Sequence, residues 1–108
     1  MNYNISSIPL FERQAKRLAK KYPSLKKDLT ELMISLDDNP EQGTALGNNF
    51  YKIRLAIASK GKGKSGGARV ITYLKITGST VYLTSIYDKS EKSTVTDKEL
   101  DQIFRSIP

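Results

Sequence analysis

Residues 68–87 read Ala68-Arg69-Val70-Ile71-Thr72-Tyr73-Leu74-Lys75-Ile76-Thr77-Gly78-Ser79-Thr80-Val81-Tyr82-Leu83-Thr84-Ser85-Ile86-Tyr87. β-Branched and aromatic residues fill both halves, and Gly78-Ser79 separates them. The stretch therefore predicts two strands, 68–77 and 80–87, joined by a tight turn. Side chains alternate along a strand, so Arg69, Ile71, Tyr73 and Lys75 share one face, and Val70, Thr72, Leu74 and Ile76 share the other. Both faces carry apolar residues, so helices are expected to cover part of each.

Working outward, Tyr51, Ile53, Leu55 and Ile57 alternate with Lys52, Arg54 and Ala56, which predicts a strand over 50–58. Phe11, Ala15, Leu18, Ala19 and Tyr22 recur at spacings of three and four, which predicts a helix after Pro9. Leu25, Leu29, Leu32, Met33 and Leu36 continue that spacing. Proline is tolerated in a first helical turn, so a second helix is expected to start at Pro23 and to end at Asn39-Pro40. Tyr3 and Ile5 suggest a short strand over 3–6. Thr96-Asp97-Lys98-Glu99 fits a capping box, and Leu100, Ile103, Phe104 and Ile107 complete a short C-terminal helix. The order is β-α-α-β-β-β-α. This is an α+β fold, a small antiparallel sheet packed with helices, read as one domain over residues 1–108.

The chain has 108 residues, 18 Lys+Arg against 11 Asp+Glu, a net charge of +7, and no His, Cys or Trp. Zinc fingers, Ser–His–Asp or Cys–His catalysis, iron–sulfur clusters and disulfide scaffolds all need residue types that are missing. No metal or cofactor is expected, and any chemistry must run on Lys, Arg, Tyr, Ser/Thr, Asp or Glu. The N-terminus lacks the pattern of a secretory signal and no window is apolar enough to span a membrane, so a cytoplasmic protein is expected. The charge falls in blocks. Residues 13–27 hold seven bases and no acid; residues 28–41 hold five acids and no base. From Gln42 to Tyr87 there is no acid, but there are seven bases: Lys52, Arg54, Lys60, Lys62, Lys64, Arg69 and Lys75. Cations concentrated in one sheet point to a polyanionic partner such as nucleic acid.

The loop at 61–67, Gly61-Lys62-Gly63-Lys64-Ser65-Gly66-Gly67, contains two misleading matches. Gly61, Gly63 and Gly66 satisfy a dinucleotide fingerprint, but that motif needs a helix N-terminus after it, and here a strand follows. Gly63-Lys64-Ser65 ends like a P-loop, but the first glycine of that motif would fall on Ala58. What remains is a basic strand connection whose glycines let backbone N–H groups approach phosphate, with Lys60, Lys62 and Lys64 supplying charge. Lys75 adds to the same set of phosphate-binding candidates.

Five segments in order carry a family resemblance. They are Phe11-x-Arg13-x-x-Lys16-x-Leu18-x-Lys20-Lys21-Tyr22; Asn39-Pro40-x-x-Gly43; Tyr51-Lys52-Ile53-Arg54; Gly63-Lys64-Ser65-Gly66-Gly67-Ala68-Arg69-Val70-Ile71; and Ile86-Tyr87-Asp88-Lys89-Ser90-Glu91-Lys92. Together they resemble toxins of bacterial type II toxin–antitoxin modules in the RelE/ParE superfamily, most closely the HigB-like branch. The resemblance implies a RelE-like fold and a ribosome-dependent mRNA endonuclease (an mRNA interferase) that inhibits translation. It implies as partners the ribosome, mRNA and a cognate antitoxin, a helix-turn-helix protein of HigA type. It assigns site roles to Lys52, Arg54, Arg69, Lys89 and Lys92. The best-known members carry a catalytic tyrosine near the C-terminus and others a histidine; here no tyrosine follows Tyr87, so Tyr87 is the stand-in candidate.

Cleavage of RNA by its own 2′-hydroxyl needs a positioned phosphate, a proton acceptor, a proton donor and cations against the charged phosphorane. Arg54 and Arg69 suit phosphate clamping, since guanidinium pairs bidentately with phosphate. Lys52, Lys89, Lys92 and Tyr87 are the proton-transfer candidates, and Tyr51 or Tyr73 either stacks a base or packs the core. Two other readings stay open: a ParE-like gyrase inhibitor, and a non-catalytic basic nucleic-acid-binding module.

Overall fold

The computed structural model describes residues 3–108; Met1 and Asn2, which the sequence reading includes in its single domain, lie outside the described residues. The hairpin forms, but its first strand ends at Lys75 rather than at residue 77, because residues 76–79 make the turn, closed by the Ser79 N–H on the Ile76 carbonyl at 3.0 Å. Strands β4 (Ala68–Lys75) and β5 (Thr80–Asp88) pair antiparallel, with Arg69 opposite Tyr87 and Lys75 opposite Thr80. Gly78 sits in the connecting turn at φ 92°, a left-handed value that glycine adopts without penalty. The register shifts between Ile71 and Thr72, which leaves Thr84 as the extra residue of a bulge; its hydroxyl donates to the Ile71 carbonyl at 2.8 Å.

β3 (Phe50–Leu55) pairs antiparallel with β4. It is shorter than the alternation in 50–58 suggests, because Ala58–Lys60 wind into a single 3-10 turn whose first N–H is held by the Asp28 carboxylate at 3.2 Å. β1 (Asn4–Ser7) lies one residue later than expected and runs parallel to the first half of β5. The sequence order lacks one strand. β2 (Thr44–Gly47) pairs with β3 at the far edge, completing a five-stranded sheet in the order β1-β5-β4-β3-β2.

α1 (Pro9–Lys21) begins with a proline at its first position, where no N–H is needed. α2 (Leu25–Asp38) does not start at Pro23; Pro23 lies in the turn between Tyr22, which ends α1, and Ser24, which precedes α2. The two helices cover the sheet face that carries Ile53, Leu55, Val70, Leu83 and Ile86, and Leu18, Leu25, Leu32 and Leu36 join that core. α3 (Asp97–Arg105) lies on the opposite face. There the Phe104 ring meets Tyr73 edge-on at 5.7 Å, and Tyr73 packs on Phe50 at 5.0 Å. The expected capping box is present: the Thr96 hydroxyl accepts the Glu99 N–H at 3.2 Å and the Glu99 carboxylate accepts the Thr96 N–H at 2.9 Å.

The glycine loop enters β4 by passing close under β3. A Cβ on Gly67 would lie 2.1 Å from the Leu55 carbonyl oxygen, so no side chain fits unless the loop moves away from the strand. Gly67→Ala is therefore expected to destabilise the protein by about 3 kcal/mol through overpacking. Urea or thermal unfolding reads this as a loss of roughly 10–20 °C in Tm. An unchanged midpoint would show that the loop yields freely.

Candidate nucleic-acid interface

The pairing register of β3, β4 and β5 places Arg54 opposite Arg69 and Arg69 opposite Tyr87, all on the sheet face that α3 partly covers. Two like charges directly opposite each other repel, so the pair needs acceptors nearby. Arg69 finds them in the glycine loop. It is only 5% exposed, and its guanidinium donates to the carbonyls of Lys64 at 3.0 Å, Ala68 at 3.1 Å and Ser65 at 3.4 Å. The sequence reading makes Arg69 a free phosphate clamp; the structure corrects this, since much of its fork is committed to shaping the loop. Arg54 is exposed and has no side-chain hydrogen bond among the described residues. Lys52 stands two residues along β3 on the same face and is half-buried.

Tyr87 closes the row. Its side chain is buried, and its hydroxyl has no hydrogen-bond partner among the described residues. Such an orphaned group costs stability, and a role in function is one reason to retain it. The Lys92 ammonium lies 5.5 Å from the Tyr87 ring centroid and is ion-paired with Glu99 of α3. The hydrogen bond from Lys92 holds the Glu99 carboxyl below its usual range, against the opposing effect of burial. Arg54, Arg69, Tyr87, Lys52 and Lys92 thus share one surface.

Other sequence candidates fall outside it. Lys89 turns into its own loop and donates to the Ser93 carbonyl at 3.1 Å. Lys75 lies at the hairpin end of β4 and donates to the Pro108 carbonyl at 2.9 Å, well away from the arginine row. Lys60, read as a phosphate ligand, is a buried ion-pair partner: its ammonium donates to Asp88 at 2.6 Å and its side chain is 10% exposed. Lys62 and Lys64 are exposed on the glycine loop. Tyr51 belongs to the helix-covered side and Tyr73 packs between Phe50 and Phe104, so both serve packing.

The residue that sequence reasoning missed is Asp88. It is fully buried at the end of β5. One carboxylate oxygen accepts from Lys60 and from the Ser90 N–H and hydroxyl at 2.9 and 2.7 Å; the other accepts from the Tyr22 hydroxyl at 2.5 Å. Burial alone would push this carboxyl up, but the hydrogen bonds from Lys60, Tyr22 and Ser90 outweigh it and hold it well below the usual carboxylate range. The same contact raises the Lys60 ammonium above its ordinary value. The only sequence signal was position: Asp88 is the first acid after the long basic stretch.

A family model described as the RelE toxin of the RelE/RelB toxin–antitoxin system matches residues 9–107. The chain belongs to the RelE toxin family. Among solved structures, an arginine double mutant of the E. coli toxin RelE in the free state matches with a TM-score of 0.66 at 14% identity, covering 100% of both chains. That likeness shows that this family member keeps the RelE fold. As a RelE-family toxin, the chain is the toxin component of a pair whose other member is an antitoxin.

Proposed function

We propose that this RelE-family toxin, of the HigB-like branch, is a ribosome-dependent, metal-independent mRNA endonuclease acting in the cytoplasm. The observation that carries the reading is the row Arg54–Arg69–Tyr87, flanked by Lys52 and Lys92, on one sheet face. In this reading the exposed Arg54 grips the scissile phosphate. Arg69 fixes the glycine loop, whose lysines Lys62 and Lys64 meet the flanking backbone. The RNA 2′-oxygen attacks phosphorus as its proton leaves to a base; the bond from phosphorus to the 5′-oxygen breaks, and that oxygen takes a proton. The products are a 2′,3′-cyclic phosphate and a 5′-hydroxyl. Lys52, Lys92 and the unpartnered Tyr87 hydroxyl are the groups able to move those protons, and the cations offset the phosphorane charge. A helix-turn-helix antitoxin with acidic residues would neutralise the face.

The test uses purified ribosomes programmed with a defined mRNA in their magnesium buffer, and toxin that has been stripped with EDTA and dialysed beforehand. Cut mRNA on the ribosome, and uncut mRNA without it, is the expected result. Intact mRNA alongside blocked gyrase supercoiling would replace this reading with the ParE-like one. Salt-sensitive RNA binding with no cleavage would replace it with a non-catalytic binding module.

A further inference from the structure

We propose that Asp88, with Lys60 and Tyr22, forms a positioning hub that sets the glycine loop and the turn at 88–92 relative to each other. It thereby brings Arg69, Tyr87 and Lys92 to their working separation. The inference rests on the endonuclease reading for its catalytic part and on geometry alone for the rest.

Four segments meet at this carboxylate. Tyr22 ends α1, Lys60 ends the 3-10 turn where the glycine loop starts, Asp88 ends β5, and Ser90 lies in the following turn. The backbone repeats the linkage. The Lys89 N–H donates to the Gly67 carbonyl at 3.0 Å, tying the turn to the far end of the glycine loop. The N–H groups of Glu91 and Lys92 both donate to the Asp88 carbonyl, at 3.0 and 3.1 Å. The turn that lays Lys92 over the Tyr87 ring is thus wound around Asp88. The loop that Arg69 holds from its inner side is pinned at its start by Lys60.

Charge explains why an acid is needed here. The Lys60 and Lys21 ammonium groups flank the Tyr22 ring at 5.5 and 5.4 Å, and Lys21 also lies 4.0 Å from Asp88. Lys21 also has Glu91 at 3.7 Å, so it is Lys60 that depends on the buried anion. With it, the loop and the turn are drawn together by opposite charge in a site shielded from water, where such attraction is strongest. Asp88 is fully buried and the Lys60 ammonium is committed to it, so both act through the groups they place.

The test compares Asp88→Asn, Lys60→Met and Tyr22→Phe with Leu29→Ala, a core substitution in α2 that removes none of the hub's hydrogen bonds. All four are assayed where circular dichroism shows them folded. Asp88→Asn is expected to lower kcat on programmed ribosomes about 100-fold, the cost of misplacing reacting groups by about an ångström, with KM changed by less than about threefold. Tyr22→Phe removes one donor, keeps the ring, and stays folded if Asp88→Asn does not. It is expected to lose about tenfold in kcat, the scale of one hydrogen bond to a charged group. Leu29→Ala should lose Tm and keep kcat. A hub variant with wild-type kcat, or a Leu29→Ala loss of kcat as large as theirs, overturns the proposal. A second arm needs no activity. Trypsin cleavage after Lys62 and Lys64, followed by mass spectrometry, should speed up in the hub variants and not in Leu29→Ala. If the wild type cuts no mRNA but the loop loosens as stated, the endonuclease reading fails and the hub stands. If the loop is cleaved at the wild-type rate in all hub variants, the hub fails.

Discussion

Arg69→Met is expected to abolish measurable mRNA cleavage and to destabilise the fold at once. The guanidinium is buried among three backbone carbonyls, those of Lys64, Ser65 and Ala68. Methionine replaces the aliphatic stem of arginine but has no donor, so the Ala68 carbonyl and the inner side of the loop lose their partners. Each orphaned buried acceptor costs about 1–3 kcal/mol, and the two loop carbonyls recover part of that by turning to water. A net loss of about 2–4 kcal/mol in urea unfolding is the expected sum. Cleavage should fall by about a thousandfold or more, because the glycine loop that frames the site is released and Arg54 loses the fixed positive charge beside it. Arg69→Lys sharpens the reading. A lysine keeps the charge but cannot span three carbonyls with a rigid fork, so it should recover part of the stability and little of the activity. Arg69→Met toxin that cleaves ribosome-bound mRNA at the wild-type rate would remove Arg69 from the site altogether.

How far the sequence was legible depends on whether the decisive contact is local. The β4–β5 hairpin, the two-helix pattern and the Thr96–Glu99 capping box are local, and each is present, with only the end of β4 and the start of α2 displaced by two residues. β2 was invisible because Thr44-Ala45-Leu46-Gly47 is short, largely exposed and interrupted by a register shift, so it carries no alternation. It exists because β3 offers an edge, a property of the assembled sheet. Pro23 misled the helix start because a proline at a first turn and a proline in the preceding turn look alike in sequence; here the Leu25 N–H bonds back to the Tyr22 carbonyl at 3.0 Å, which puts Pro23 and Ser24 in the turn. The row of Arg54, Arg69 and Tyr87 was legible as residue types on strands, but their alignment required the register. Lys60 and Asp88 were the least legible. Their partnership joins positions 28 residues apart, and that of Tyr22 with Asp88 joins positions 66 apart. In sequence, a lysine beside a glycine loop looks like a phosphate ligand whether or not a distant acid has claimed it.

Tyr87→Phe separates function from stability, because its two expected effects have opposite signs. The Tyr87 hydroxyl is buried with no partner among the described residues, so the folded state already bears the cost of an unsatisfied polar group. Deleting that oxygen removes the cost and leaves the ring in place beneath the Lys92 ammonium. Unfolding should therefore show a stability unchanged or raised by about 1 kcal/mol. Catalysis should move the other way. A positioned proton donor or acceptor contributes about 10²–10⁴-fold, so a loss of that order in kcat on programmed ribosomes is expected, with KM nearly unchanged. A tyrosine kept only for packing predicts a different pair of results, a neutral or stabilising change with full activity. That outcome would leave Lys52 and Lys92 as the only proton-transfer groups on the face. If instead Tyr87→Phe loses activity while its melting temperature holds or rises, the hydroxyl is retained at the expense of stability. Only a role in the chemistry accounts for an unpartnered buried oxygen whose removal harms activity but not the fold.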